Sequence, residues 1–392
     1  MGEGDQRLGR FRAGPTLHAA FDPKNNSLNA LRLVFATAVI VSHAYLLGGF
    51  GAEPAFGGSS LGGWAVASFF VASGYLIAGS RVRSRIGSFA RRRALRIFPG
   101  LWVCLIVIVL VFVPLAAIKE PGTFPPGLQA VTSFLFLNAT LLADGQYGIE
   151  GTLGTVPHPG SWDGSLWSLP FEVGCYIAVA LVLTGLARRH PKAAIAVAFA
   201  ASSVIHLVDV WVAPLPAEDL RLAFTLVTYF LAGSLLWAFA DRIPASRGLA
   251  LLALGTIAVT GVFGQAYALG ALPLAYLCMW LAVRLPLQRV GRVNDISYGV
   301  YIYAFPVQQV LVLYGGANHG ILVYIALTVA LTFPLAALSW KLVEQPAMRR
   351  RRTVPARPRT LPSPSPAPQE TVPGQLIAAP APPPVQGASP GR

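Results

Sequence analysis

The chain has 392 residues, of which 54% are hydrophobic and 12% are charged, and its formal net charge is +14. A soluble domain carries about 25% charged residues, so this composition excludes an ordinary soluble protein and indicates a polytopic membrane protein. The excess positive charge lies in short arginine-rich segments beside apolar runs, which is the pattern that sets membrane orientation. We therefore expect a lipid bilayer as partner and no nucleic acid.

The first apolar span, Leu28–Leu47, follows a basic N-terminal segment, 1–27, which the positive-inside rule places in the cytoplasm. The span has the roughly 20 residues that cross a hydrocarbon core, yet it contains Arg32 and His43. On a helix, eleven residues correspond to about 20° of net rotation and about 16.5 Å of rise, so both side chains leave one face at different depths. Ionisable groups at membrane depth indicate a functional site. The alternatives are an interfacial arginine that snorkels to the headgroups and a neutral packing histidine.

The next segments predict an all-α fold of about ten transmembrane helices. The stretch 128–142 has only about 15 residues, which favours a re-entrant or interfacial segment over a full span. With that stretch outside the count, the later basic segments and both termini fall in the cytoplasm. After the first span, the predicted spans are 61–80, 97–118, 166–187, 191–212, 221–240, 247–264, 267–284, 295–315 and 320–343.

The chain thus divides into the N-terminal segment 1–27, a transmembrane domain over 28–350 and a tail over 351–392. The tail is dominated by proline, alanine, serine and glutamine, so we expect it to be disordered and cytoplasmic. The three cysteines lie singly in apolar segments and indicate packing thiols, and no histidine has a partner at metal-ligand spacing. We predict no metal.

A cluster of arginines opens the third span. Arg93 and Arg96 are three residues apart, so their side chains converge on one helix face, and Arg32 lies at the same cytoplasmic depth. Paired guanidiniums match phosphate oxygens, which accept bidentate hydrogen bonds. The pattern indicates a phosphorylated cytosolic ligand, with a pure topology signal as the alternative.

A carboxylate inside the membrane is the other candidate for chemistry. Glu172 lies about two turns into a hydrophobic helix, where it needs a cation, a hydrogen-bond network or a proton. Trp167 is either a membrane-belt residue or an aromatic face for a sugar. The small residues Ser73 and Gly74 indicate close helix packing.

Six short motifs follow one another over about residues 25 to 350. They are Arg32 with His43 after ten intervening residues, Phe69-Phe70-Val71-Ala72-Ser73-Gly74, the run from Arg92 through Arg96, Ile97 and Pro99 to Trp102, Trp167-Ser168-Leu169 with Glu172, Ser297-Tyr298-Gly299-Val300-Tyr301, and Glu344-Gln345-Pro346. In this order the six motifs resemble the acyltransferase-3 family of integral membrane acyltransferases. One departure is Ala304 before Phe305-Pro306, where many relatives carry a histidine, so the chemistry should rest more heavily on His43.

The resemblance implies a multi-pass enzyme of the bacterial inner membrane that moves an acyl group, in the simplest case acetyl, from cytoplasmic acyl-CoA to a hydroxyl of an extracytoplasmic or lipid-linked glycan. Arg93 and Arg96, with Arg32, are expected to hold the donor phosphates. His43 is expected to act as general base or as transient acyl carrier.

Glu172 is then expected to orient His43 or to bind the sugar, and both roles stay open. The matched motif also makes Trp167 and Ser168 candidates for contact with the sugar. The rival class is a transporter or flippase of a glycolipid or other anionic metabolite, because ten helices with buried charges suit transport too. A third class is a structural subunit of a glycan-export complex, without chemistry of its own.

Overall fold

A computed structural model describes residues 14–120, 125–141, 146–185 and 189–349. The predictions for the first 13 residues and for the tail 351–392 lie outside these described residues. Within them the chain is mostly helical, and the strands β1 (Ala55–Phe56) and β2 (Ser59–Ser60) form one small antiparallel hairpin.

Most helices follow one another closely along the chain, and the longest connection between α-helices runs from residue 141 to 168. Two π-helical segments, Ile108–Phe112 and Trp340–Glu344, continue the α-helices that end at Val107 and Ser339. In chain order the described α-helices are α1 (Leu17–Ala20), α2 (Leu28–Leu47), α3 (Leu61–Val82), α4 (Ile86–Val107), α5 (Val113–Lys119), α6 (Leu128–Thr140), α7 (Leu169–Val182), α8 (Pro191–Trp211), α9 (Glu218–Ala238), α10 (Arg247–Val262), α11 (Ala266–Leu269), α12 (Ala271–Arg284), α13 (Ser297–Leu313), α14 (Ile321–Ser339) and α15 (Gln345–Arg349).

Seven helical stretches of the described residues are long and apolar enough to cross a membrane, which confirms an all-α polytopic fold. The predicted spans at α10, α12 and α13 form shorter helices of 16, 14 and 17 residues, so the count of ten stays a prediction. The 13 residues of α6 rise about 20 Å. That is less than the hydrocarbon core of about 30 Å and agrees with a non-spanning segment at 128–142. The seven stretches are Leu28–Leu47, Leu61–Val82, Ile86–Lys119, Gly164–Val182, Pro191–Trp211, Glu218–Ala238 and Ile321–Arg349.

The third span begins earlier than predicted. Its helix starts at Ile86 instead of 97, so Arg93 and Arg96 lie on helical turns. The residues added to the helix include alanine, arginine and leucine, which are strong helix formers and extend the helix beyond its apolar part. Because both arginines lie within this helix, their i, i+3 spacing places the two side chains on the same face.

The helices α3 and α9 cross at very close range. A Cβ atom on Gly74 would lie 1.8 Å from the carbonyl oxygen of Phe230, and one on Gly233 would lie 2.1 Å from that of Val71. Glycine at these positions therefore lets the two backbones touch, as in other small-residue membrane interfaces. This confirms the packing role predicted for Gly74. The helix α3 also contacts α2.

Candidate active site

A cavity of about 280 Å³ lies where α2, α3, α4, α7 and α13 meet. Residues from five of the six sequence motifs line it, and the sixth motif contacts it because Glu344 Oε2 is 3.9 Å from Arg96 Nη1. We call it the arginine cavity, after its three guanidinium groups. These belong to Arg32, Arg93 and Arg96. The tertiary structure thus brings together residues that are more than 250 positions apart in the chain.

Asp295 is the central carboxylate of the arginine cavity. Its Oδ2 accepts hydrogen bonds from Arg32 Nη1 and Arg96 Nη2, each at 2.6 Å, and its Oδ1 accepts one from Ser297 at 2.7 Å. Asp295 precedes the first residue of α13, so it lies outside that helix. Burial alone would raise the pKa of its carboxyl, but the two guanidiniums hold that pKa below its ordinary value. The carboxylate is therefore ionised and links α2, α4 and the start of α13.

Sequence reasoning missed Asp295. The available signal was its position, since it is an acidic residue that closes a basic loop directly before the Ser297-Tyr298 motif. Nothing local indicates which arginines it contacts, because Arg32 and Arg96 lie 263 and 199 residues away in the chain.

Arg93 occupies a second part of the cavity, together with Glu172. Its guanidinium lies 5.8 Å from the centre of the Tyr176 ring, and its buried Nε has no hydrogen-bond partner among the described residues. Glu172 Oε1 accepts hydrogen bonds from the hydroxyls of Tyr176 and, at 3.3 Å, Ser73. This is the hydrogen-bond network that an intramembrane carboxylate requires. Ser73, expected only to pack, supplies part of it.

The arginines retain hydrogen-bonding capacity for a ligand. A guanidinium has five N–H donors, and Asp295 takes one short hydrogen bond from each of Arg32 and Arg96. The Arg96 guanidinium also lies 5.6 Å from the Trp340 ring centre and 6.0 Å from that of Tyr298, which holds its plane in place. Oriented guanidiniums with unused N–H groups suit phosphate or carboxylate oxygens.

The two candidates for sugar contact are separated by the fold. Ser168 lines the cavity, with its Oγ 2.7 Å from the hydroxyl of Tyr301. Trp167 packs edge-on against Phe171 at 6.0 Å between ring centres and does not line the cavity.

His43 lies beyond the arginine cavity, about 16.5 Å of helical rise from Arg32 along α2. Its ring packs edge-on against Phe305 at 5.4 Å, and its Nε2 is 3.9 Å from Oε1 of Glu53. Glu172 and His43, predicted as a possible pair, thus belong to different groups, because Glu172 lines the arginine cavity and the carboxylate beside His43 is that of Glu53. Sequence reasoning missed Glu53, although it is a rare acidic residue ten positions after His43.

The described residues contain no group of three or more histidine, cysteine, aspartate or glutamate side chains that could hold a metal ion. The three cysteines are all buried and free, as expected for packing thiols.

Fold and site together define a polytopic membrane protein with an internal arginine-lined cavity and a histidine further along the same helix. The model of the acyltransferase-3 family, described as an acyltransferase domain, matches residues 25–341. The chain belongs to this family and is a membrane enzyme that transfers acyl groups.

Two relatives resemble the chain over nearly their whole length. The chain is 31% identical over 335 residues to an O-acetyl transferase of Shigella phage Sf6, which covers 82% of this chain and 96% of the relative. It is 29% identical over 382 residues to nodulation protein 10 of Rhizobium leguminosarum bv. viciae, and this alignment covers 88% of this chain and 98% of the relative. No solved structure gives a significant match.

Proposed function

We propose that the enzyme is an O-acyltransferase that moves an acyl group, in the simplest case acetyl, from cytoplasmic acyl-CoA to a hydroxyl of an extracytoplasmic or lipid-linked glycan. The relative named O-acetyl transferase supports the reaction class. The observation that carries the proposal is the arginine cavity itself. It offers three guanidiniums to an anionic donor, at one end of the helix that carries His43 at the other.

The donor's phosphates would bind at Arg32, Arg93 and Arg96. A volume of about 280 Å³ is slightly below the range of about 300–1,000 Å³ for small-molecule sites, so the cavity accommodates part of a large cofactor. Asp295 holds two of the three guanidiniums in place before the donor arrives. The flexible pantetheine arm would then follow α2 toward His43, which requires a reach of about 16.5 Å.

The reaction would take place near His43. As general base, its imidazole removes the proton of the acceptor hydroxyl, whose oxygen forms the new C–O bond while the C–S bond of the thioester breaks. The proton then passes to the departing CoA thiolate. In the covalent variant, His43 carries the acyl group between two such transfers. Of the two roles predicted for Glu172, orientation of His43 fits less well, because Glu172 lines the arginine cavity and the carboxylate beside His43 is that of Glu53. Contact of Glu172 with the sugar stays a prediction.

The proposal also sets the orientation. The arginine cavity would face the cytoplasm of a bacterium with the enzyme in its inner membrane, and both termini would be cytoplasmic. His43 would lie toward the outer side, where a glycan acceptor is available.

Release of free CoA thiol by purified enzyme tests the proposal. The assay combines acetyl-CoA with a panel of glycans and compares wild type with His43→Ala and Arg96→Ala. We expect His43→Ala to abolish release with donor binding intact, and Arg96→Ala to weaken donor binding. The matched controls are His319→Ala and Arg247→Ala, because both side chains are exposed and neither lines the cavity. Movement of glycolipid in liposomes without release of CoA from any donor would instead favour the transporter.

A further inference from the structure

We propose that Glu53 is the positioning residue of His43, and that His43 and His158 share one proton beside the Glu53 carboxylate and the ring of Phe305. This proposal rests on the proposed function, because it assigns the groups that govern the proton on His43. We call these four residues the histidine cluster.

The histidine cluster draws its members from three separate parts of the chain. Glu53 lies in the loop after α2, His158 in the segment before α7, and Phe305 in α13. Phe305 packs edge-on with both imidazoles, at 5.4 Å from His43 and 6.3 Å from His158 between ring centres. The His43 and Glu53 side chains are 17% and 21% exposed. Both are therefore mostly buried, yet an acceptor can still reach them.

Two adjacent glutamines of α13 hold this arrangement. Gln309 donates through its Nε2 to the carbonyl oxygens of His158 at 2.9 Å and Ser161 at 2.7 Å, which ties the loop to the helix. Gln308 donates to the carbonyl oxygen of Ile40 at 3.0 Å, one turn before His43. The loop that carries His158 and the helix that carries His43 are therefore both anchored to α13.

The loop after α2 packs directly on the segment that carries His158. Gly49 has a φ of +74°, and a Cβ atom there would lie 3.2 Å from Cγ of Pro157. This distance is shorter than ordinary van der Waals contact, so the two segments already pack closely at this point. The close contact keeps Glu53 and His158 over the same end of α2.

The chemistry follows from the charges. When His43 takes the acceptor's proton it becomes a cation in a mostly buried place, and a carboxylate 3.9 Å away stabilises that cation more strongly than it would in water. A carboxylate beside one ring nitrogen also favours the N–H on that nitrogen, which leaves the other nitrogen as base. Glu53 takes no part in the proton transfer itself, so the proton balance of the reaction is unchanged.

His158 places a second imidazole near His43 and Glu53. Among the described residues, the ionisable groups that face His43 are Glu53, which attracts its positive charge, and His158, which repels it when protonated. Two imidazoles beside one carboxylate hold one proton more readily than two. The cluster therefore keeps one imidazole neutral and able to accept the acceptor's proton.

The first test is the pH dependence of acyl transfer, measured as CoA release. For Glu53→Gln we expect kcat to fall about tenfold or more and the acidic limb of the profile to move down by about one pH unit, because an opposite charge within 4–6 Å is lost. The KM for acetyl-CoA should stay within about twofold, since the donor would bind in the arginine cavity. In His158→Asn the acidic limb should move to higher pH, because a second positive charge near His43 is removed. In Glu53→Asp the acidic limb should stay at the wild-type pH. Glu150→Gln, which changes an exposed carboxylate in the segment between α6 and α7, is the control.

The second test needs no turnover. Diethyl pyrocarbonate acylates neutral imidazole, and the pH midpoint of His43 modification can be read by mass spectrometry, with exposed His319 as internal reference in the same digest. We expect a lower midpoint for His43 in Glu53→Gln and an unchanged one for His319. A wild-type enzyme that releases no CoA would count against the proposed function, while the shifted midpoint would still support the cluster. The proposal would be overturned if a folded Glu53→Gln variant kept both the wild-type midpoint of His43 modification and the wild-type acidic limb of CoA release. A lower melting temperature of that variant would not change this conclusion.

Discussion

Asp295→Asn separates the structural role of the arginine cavity from its role in donor binding. The carboxylate accepts 2.6 Å hydrogen bonds from two guanidiniums whose side chains are only 19% and 14% exposed. Removing one partner of a buried ionic pair costs about 3–5 kcal/mol, and the partial exposure here places the expected loss near the lower end, at about 3 kcal/mol. At about 2–4 °C per kcal/mol, the melting temperature should fall by roughly 6–12 °C.

Binding of the donor should reverse part of this loss. The variant leaves Arg32 and Arg96 without their shared carboxylate, so a donor phosphate can replace it. We therefore expect CoA to raise the melting temperature of Asp295→Asn more than that of wild type. The assay is thermal unfolding in detergent, with and without CoA at the same concentration.

The control is Asp241→Asn, which removes an exposed pair with Lys192 at 2.9 Å. The two side chains of this pair are 51% and 45% exposed, and such pairs contribute about 0–1 kcal/mol. If Asp295→Asn melted like the control, or if CoA stabilised variant and wild type equally, the reasoning about the arginine cavity would be refuted.

Three further predictions follow from individual contacts. Arg93→Lys keeps the charge but loses the planar fork, so the KM for acyl-CoA in the CoA-release assay should rise about tenfold, and an unchanged KM would exclude a phosphate contact. Gly74→Ala should reduce the yield of folded protein in size-exclusion chromatography because its Cβ would overlap the α9 backbone, whereas Gly255→Ala, with open space around it, should not. Because the pKa of folded Asp295 lies below its ordinary value of about 3.9, its stabilising contribution is present above that pH and is lost as the pH falls through the folded pKa. The difference in melting temperature between wild type and Asp295→Asn should thus narrow below about pH 4, and a constant difference would contradict the assignment.

The sequence by itself determined the class of the fold. Long apolar runs of about 20 residues form helices in a membrane because each backbone group must find its hydrogen bond within the segment. The same local geometry predicted that Arg32 and His43 share a face and that Arg93 and Arg96 converge. Both expectations depend only on residues within one helix, and the order of the six motifs added the family.

The tertiary structure decided which groups meet. Asp295 binds arginines far away in the chain, Glu172 joins the arginine cavity, and Glu53 takes the place beside His43. Trp167 does not line the cavity, although its neighbour Ser168 does. Helical periodicity states which face a side chain leaves, but the partner on that face depends on how separate helices cross and how loops fold back over their ends. Such pairings come from contacts between distant segments, and no local pattern encodes them.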